Sequence, residues 1–134
     1  MSISISQRLR IAERADNRCE YCRLHQDHAI KRHEPDHITP RKHGGSDSDE
    51  NLAWSCFHCN RSKGSEVGAL DTNTGQLVPI FNPRRQIWSD HFVLDGASIR
   101  PLTAVGRVTV LVLQLNHPGR VEVRGILRQT GLYP

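Results

Sequence analysis

Four cysteines fall in two Cys-x-x-C pairs, Cys19-Glu20-Tyr21-Cys22 and Cys56-Phe57-His58-Cys59, separated by 33 residues. Each pair can offer two thiolates from one tight turn, and two such turns complete a tetrahedral shell for zinc. Two disulfides or a thioredoxin-type redox pair are the competing uses. The duplicated spacing, behind a polar start at residues 1–10 with no apolar block of signal-peptide length, favours zinc. Four sulfurs close the shell, so the zinc is expected to be structural and not to activate water.

A second set of reactive types lies between the pairs. It runs His33-Glu34-Pro35-Asp36-His37-Ile38-Thr39-Pro40, then Arg41-Lys42-His43-Gly44-Gly45-Ser46, then Glu50-Asn51-Leu52-Ala53-Trp54. Six of the eight histidines (His25, His28, His33, His37, His43, His58) sit in one 34-residue window, and neutral imidazoles bind metals or move protons. Asp36 beside His37 is by itself no more than an exposed salt-linked pair. Adjacent strand residues face opposite sides, so for both to serve one site the pair must sit where a strand ends. Thr39-Pro40 permits that end. His25, His28, His33 and His43 read as solvated loop positions, and His58 as a surface histidine.

The elements that must position these residues follow from the breakers. Pro and Gly bound two short segments joined by a polar loop, a hairpin with a long connection, and no breaker interrupts the chain from Cys56 to Gly64, which suits a short helix. The order is strand, loop, strand, helix. Upstream, residues 6–15 carry Leu9, Ile11, Ala12 and Ala15 among arginines, an amphipathic helix leading into Cys19. Downstream, 71–75 is a turn and 77–81 a short apolar stretch. Residues 103–116 and 118–131 are divided: 109–113 and 121–123 favour strands by propensity. Thr103 as a cap, Pro118 in a first turn, and Val105, Val108, Val112 and Leu115 at helical spacing favour helices.

Asp36-His37, Asn51 fourteen residues on and Asn60 nine further, framed by the cysteine pairs and Gly44-Gly45, resemble the HNH nuclease family over about residues 14–64. The resemblance implies a ββα-metal (His-Me finger) fold. It also implies a general base at His37, a first metal ligand at Asp36, a loop-fixing residue at Asn51 and a second ligand at Asn60, where the family places His or, in a common variant, Asn. Catalysis of phosphodiester hydrolysis calls for a hard cation, magnesium or manganese, on the oxygen donors Asp36 and Asn60, and for Asn51 to hold the His37 ring through the loop. Arg41, Lys42, Arg61 and Lys63 flank the site as candidate phosphate contacts. The run 82–92 resembles an extension of small bacterial stand-alone HNH proteins, in which Arg84 and Arg85 would face nucleic acid; alternatively that tail wraps its Phe and Trp onto the core. The resemblance also favours two helices at the C-terminal end.

The chain is therefore expected to be α+β, with a zinc-stapled nuclease module at 1–68 and a helical C-terminal extension at 69–134. The expected activity is metal-dependent endonucleolytic cleavage of DNA, with RNA not excluded. Its rivals are a nucleic-acid-binding zinc module without catalysis and a zinc domain for protein interaction. Composition is compatible: 134 residues with 37% hydrophobic and only 5% aromatic content make one small core that needs a staple. The formal charge of +4 drops to about +2 once four thiolates hold one zinc, so the basic bias is slight. The longest Val/Leu-rich stretch, 108–115, is too short to span a bilayer, and the expectation is a soluble, cytoplasmic protein without a membrane partner.

Overall fold

A computed structural model describes residues 3–134. Helix α1, Ile5–Arg14, starts at Ser4, whose hydroxyl accepts from the Gln7 N–H, and it buries Ile11 and Ala12 against Leu52 and Trp54. Its polar side reaches the loop ahead of Leu52. Gln7 Nε2 donates to the Asp47 carbonyl at 2.6 Å and to Asp49 at 2.9 Å, and Arg14 donates to the Asp49 and Leu52 carbonyls.

Strands β1, Glu34–His37, and β2, Leu52–Ser55, pair antiparallel with Asp36 opposite Ala53 and His37 opposite Leu52. The strand ends at His37, so the Asp-His pair occupies the terminal position that the following Thr39-Pro40 allows. The long connection folds back on Thr39 so tightly that a Cβ on Gly45 would lie 1.6 Å from the Thr39 oxygen; only glycine fits. Helix α2, Phe57–Lys63, follows at once, capped by Cys56 and stopped by Gly64 at φ 51°. The observed order is the expected strand, loop, strand, helix.

The chain then forms hairpin β3, Gly68–Asp71, with β4, Gln76–Pro79; helix α3, Trp88–His91; and hairpin β5, Phe92–Asp95, with β6, Ser98–Pro101. Helices α4, Ala104–Val112, and α5, Pro118–Gln129, complete the fold. The helical reading of the C-terminal end prevails over strand propensity: Thr103 accepts from the Gly106 N–H and Pro118 occupies the first turn of α5. The β5–β6 hairpin is absent from the sequence reading. One buried cluster joins Cys19, Tyr21, Cys22, Cys56 and Cys59 to Phe81, Phe92, Ile99, Val108, Leu113 and Leu115. Trp88 packs on Phe92 at 5.0 Å and donates to the Tyr21 carbonyl at 2.8 Å, so 82–92 lays its aromatics on the module. Among the described residues no helix is long and apolar enough to cross a membrane.

Candidate active site and metal centre

The four cysteines are buried and unbridged, and their sulfurs all lie within 4.8 Å of one another. Cys22 Sγ and Cys56 Sγ are 3.6 Å apart. A tetrahedral zinc with bonds of about 2.3 Å sets its sulfurs roughly 3.8 Å apart, so the cage fits one zinc. The turn geometry behind it is local: Cys22 N–H points to Cys19 Sγ and Cys59 N–H to Cys56 Sγ, both at 3.4 Å.

Asp36 and His37 leave the strand end on opposite faces. Asp36, 4% exposed, points under α2. Tyr21 donates its hydroxyl to Oδ2 at 2.8 Å, and Lys63, the last residue of α2, brings Nζ to 3.2 Å from Oδ2 and 3.4 Å from Oδ1. Burial, the larger effect, raises the Asp36 carboxyl above its usual range against the pull of the Lys63 charge. Lys63 also donates to the His37 carbonyl at 2.9 Å. Asn60, half-buried, stands three residues before Lys63 on the helix and so shares the face turned to Asp36; its amide makes no hydrogen bond among the described residues.

His37 is half-buried, and its Nε2 lies 2.7 Å from Asp47 Oδ1. Arg41 pairs with the same Asp47 oxygen at 2.9 Å. Asn51 works on the loop: its Oδ1 accepts from Thr39 N–H at 2.8 Å, and its Nδ2 donates to the carbonyls of Thr39 and Ser46 at 2.9 and 2.8 Å. It makes no hydrogen bond to the His37 ring; the side chain that reaches the ring is Asp47.

Residues 19–66, which hold the cage, the Asp-His pair, Asn51 and Asn60, match the HNH endonuclease family. This stretch is an HNH domain. The Septu protein PtuB of Bacillus thuringiensis is 30% identical over 121 residues, 85% of this chain and 42% of that protein. The chain thus spans less than half the length of that relative. No solved structure matches the chain.

Around the HNH domain the basic residues separate into two groups. Arg61 and Lys42 are exposed, Arg61 lying 5.8 Å over the Phe57 ring, and Arg85 is exposed as well. Three expectations are corrected. Lys63 is 2% exposed and locked between Asp36 and the His37 carbonyl, because a buried carboxylate needs a counter-charge, and it presents nothing to a phosphate. Arg84 is half-buried and ion-paired with Glu20, which also accepts from the Trp54 N–H; burial pushes its guanidinium down to about 10. His33 is not solvated either: it is 1% exposed, its Nε2 bonds to the Leu24 carbonyl at 2.8 Å, and its Nδ1 finds no partner among the described residues.

Sequence reasoning also missed what braces the cage of the HNH domain. Arg120 of α5 donates to Cys59 Sγ at 3.0 Å and lies 3.7 Å from Cys56 Sγ, while its other nitrogen binds the Leu113 and Gln114 carbonyls. Burial alone would lower this guanidinium, but the charges of Cys59, Cys22 and Cys56 outweigh it and push it up. Near the C-terminal end, the Tyr133 hydroxyl donates to the Cys22 carbonyl at 2.5 Å. No local pattern marks Arg120 among the arginines of the C-terminal half.

Proposed function

We infer that the chain is a metal-dependent endonuclease that hydrolyses phosphodiester bonds in DNA. The observation that supports this reading is the arrangement at the end of β1: Asp36 lies buried beside Lys63 of α2, the helix that bears Asn60, and His37 is the next residue, its ring against Asp47. The donor set fits a hard cation, since Asp36 and Asn60 offer only oxygen and a carboxylate has about four lone-pair sites, of which Tyr21 and Lys63 engage a part. Magnesium or manganese held there would supply Lewis-acid stabilisation of the charge that builds on the phosphate oxygens. His37 takes the proton of the attacking water as the water oxygen bonds to phosphorus and the bond to the leaving oxygen breaks. Asn51 keeps the loop closed over the strand end. Arg61, Lys42, Arg41 and Arg85 are the side chains for phosphate contact. The four cysteines hold structural zinc and do not take part in the chemistry.

In this reading 1–68 is the nuclease module and 69–134 an extension packed on it, working in the cytoplasm. Supercoiled plasmid, linear duplex and single-stranded DNA, each incubated with magnesium or with chelator, test the reading. Cleavage with magnesium, and its loss in His37→Ala with zinc content and DNA binding retained, is the expected result. A fully active His37→Ala variant refutes the assignment of the base.

A further inference from the structure

We propose that Asp47 is a positioning residue for the His37 base, fixing the imidazole in the tautomer that leaves Nδ1 free to take the proton from water; this rests on the reading of His37 as that base. The 2.7 Å contact between His37 Nε2 and Asp47 Oδ1 is the length of a charge-assisted hydrogen bond. The hydrogen bond from His37, followed by that from Arg41, holds the Asp47 carboxyl below the usual carboxylate range. An ionised carboxylate only accepts. Nε2 therefore carries the hydrogen, and in the neutral ring Nδ1 carries the lone pair.

Asp47 is itself held from outside its loop. Its carbonyl oxygen accepts from Gln7 Nε2 at 2.6 Å, and Asp49, two residues on, binds Gln7 and Arg10. Asn51 ties Ser46, the neighbour of Asp47, back toward Thr39. The carboxylate that meets the ring is thus set by α1 on one side and by the hairpin on the other. An imidazole left without such a partner populates both tautomers, and only one presents Nδ1 as a base.

The test uses the full, zinc-loaded chain, labelled with 15N at histidine, read across a pH series. The parent is expected to show His37 protonated at Nε2 and bare at Nδ1. Asp47→Ala is expected to move these shifts toward a tautomer mixture. With plasmid DNA and magnesium it is expected to lower kcat about tenfold to a hundredfold, the range lost when a partner orienting an imidazole is removed, with KM within about twofold. Asp47→Asn, which keeps the loop's shape, is expected to fall between, and Asp47→Glu to recover part of the loss. If Asp47→Ala and Asp47→Asn keep the parental His37 shifts and kcat while His37→Ala is inactive, the proposal is overturned and the base assignment stands. If His37→Ala cleaves at the parental rate, the base assignment fails, and the tautomer shifts alone decide whether Asp47 orients the ring.

Discussion

The Lys63 ammonium stands 3.2 Å from the Asp36 carboxylate, with the two side chains only 2% and 4% exposed. The same nitrogen donates to the His37 carbonyl, so one buried cation ties the end of α2 to both residues of the Asp-His pair. The end of α2 thereby holds the candidate ligand's carboxylate and the backbone of the candidate base from a single point, while the ring of that base is left to Asp47.

Replacing that cation leaves a buried charge without a partner. Lys63→Met is expected to destabilise the zinc-loaded protein by about 3–5 kcal/mol, the usual result of removing one member of a buried pair. Because Lys63 is turned inward, the salt dependence of DNA binding in the folded fraction should keep its slope. Urea unfolding and a salt titration check the two halves; a slope smaller by about one unit would return Lys63 to the phosphate contacts.

Metal content is expected to be one zinc per chain, retained through gel filtration. Structural zinc supplies roughly 10–16 kcal/mol in small peptides, more than a core of this size can lose. Cys22→Ser or Cys56→Ser should therefore abolish the cooperative thermal transition. Elemental analysis finding folded, active protein without zinc would sink the claim.

Asn60 offers an amide oxygen, which suits magnesium or manganese, whereas an imidazole suits nickel, cobalt or zinc. Asn60→His is expected to shift the metal preference of cleavage toward those ions, and Asn60→Ala to be nearly inactive with all of them. Initial rates across a metal series read this directly. Activity of Asn60→Ala near the parental level with magnesium would show that Asn60 is an ordinary helix residue.

Burial, the larger effect, holds the His33 imidazole below its ordinary value of 6.5, against the pull of the Leu24 carbonyl. The unfolded chain then binds the proton first, so this residue's contribution to stability falls as pH drops below about 6.5 and levels off once folded His33 itself titrates. Between about pH 7.5 and 5.5 the urea midpoint of the parent should fall more than that of His33→Gln. Equal losses would show that His33 is not held neutral.

Much of the fold was legible because its signals are local. The cysteine spacing, Gly64 after α2, Thr103 before α4 and Pro118 opening α5 each act within a turn of the residue that carries them. The hairpin β5–β6 was not, since Phe92–Asp95 and Ser98–Pro101 are four-residue strands beside a run of helix-compatible residues. The placement of the charged side chains was illegible for another reason. Whether Lys63 or Arg84 meets solvent is decided by Asp36 and Glu20, 27 and 64 residues away in the chain. Asp47 is one acid in a run of serines and aspartates, and only the folded loop sets it against His37.

Arg120 and Tyr133 meet Cys59 and Cys22 across 61 and 111 residues of chain. On a ribosome adding about 5–20 residues each second, Arg120 follows the last cysteine by roughly 3–12 s. In that interval all four thiols already exist, but the guanidinium that balances them has not been made. The side chain that caps the Cys59 sulfur is therefore supplied only when α5 has been made.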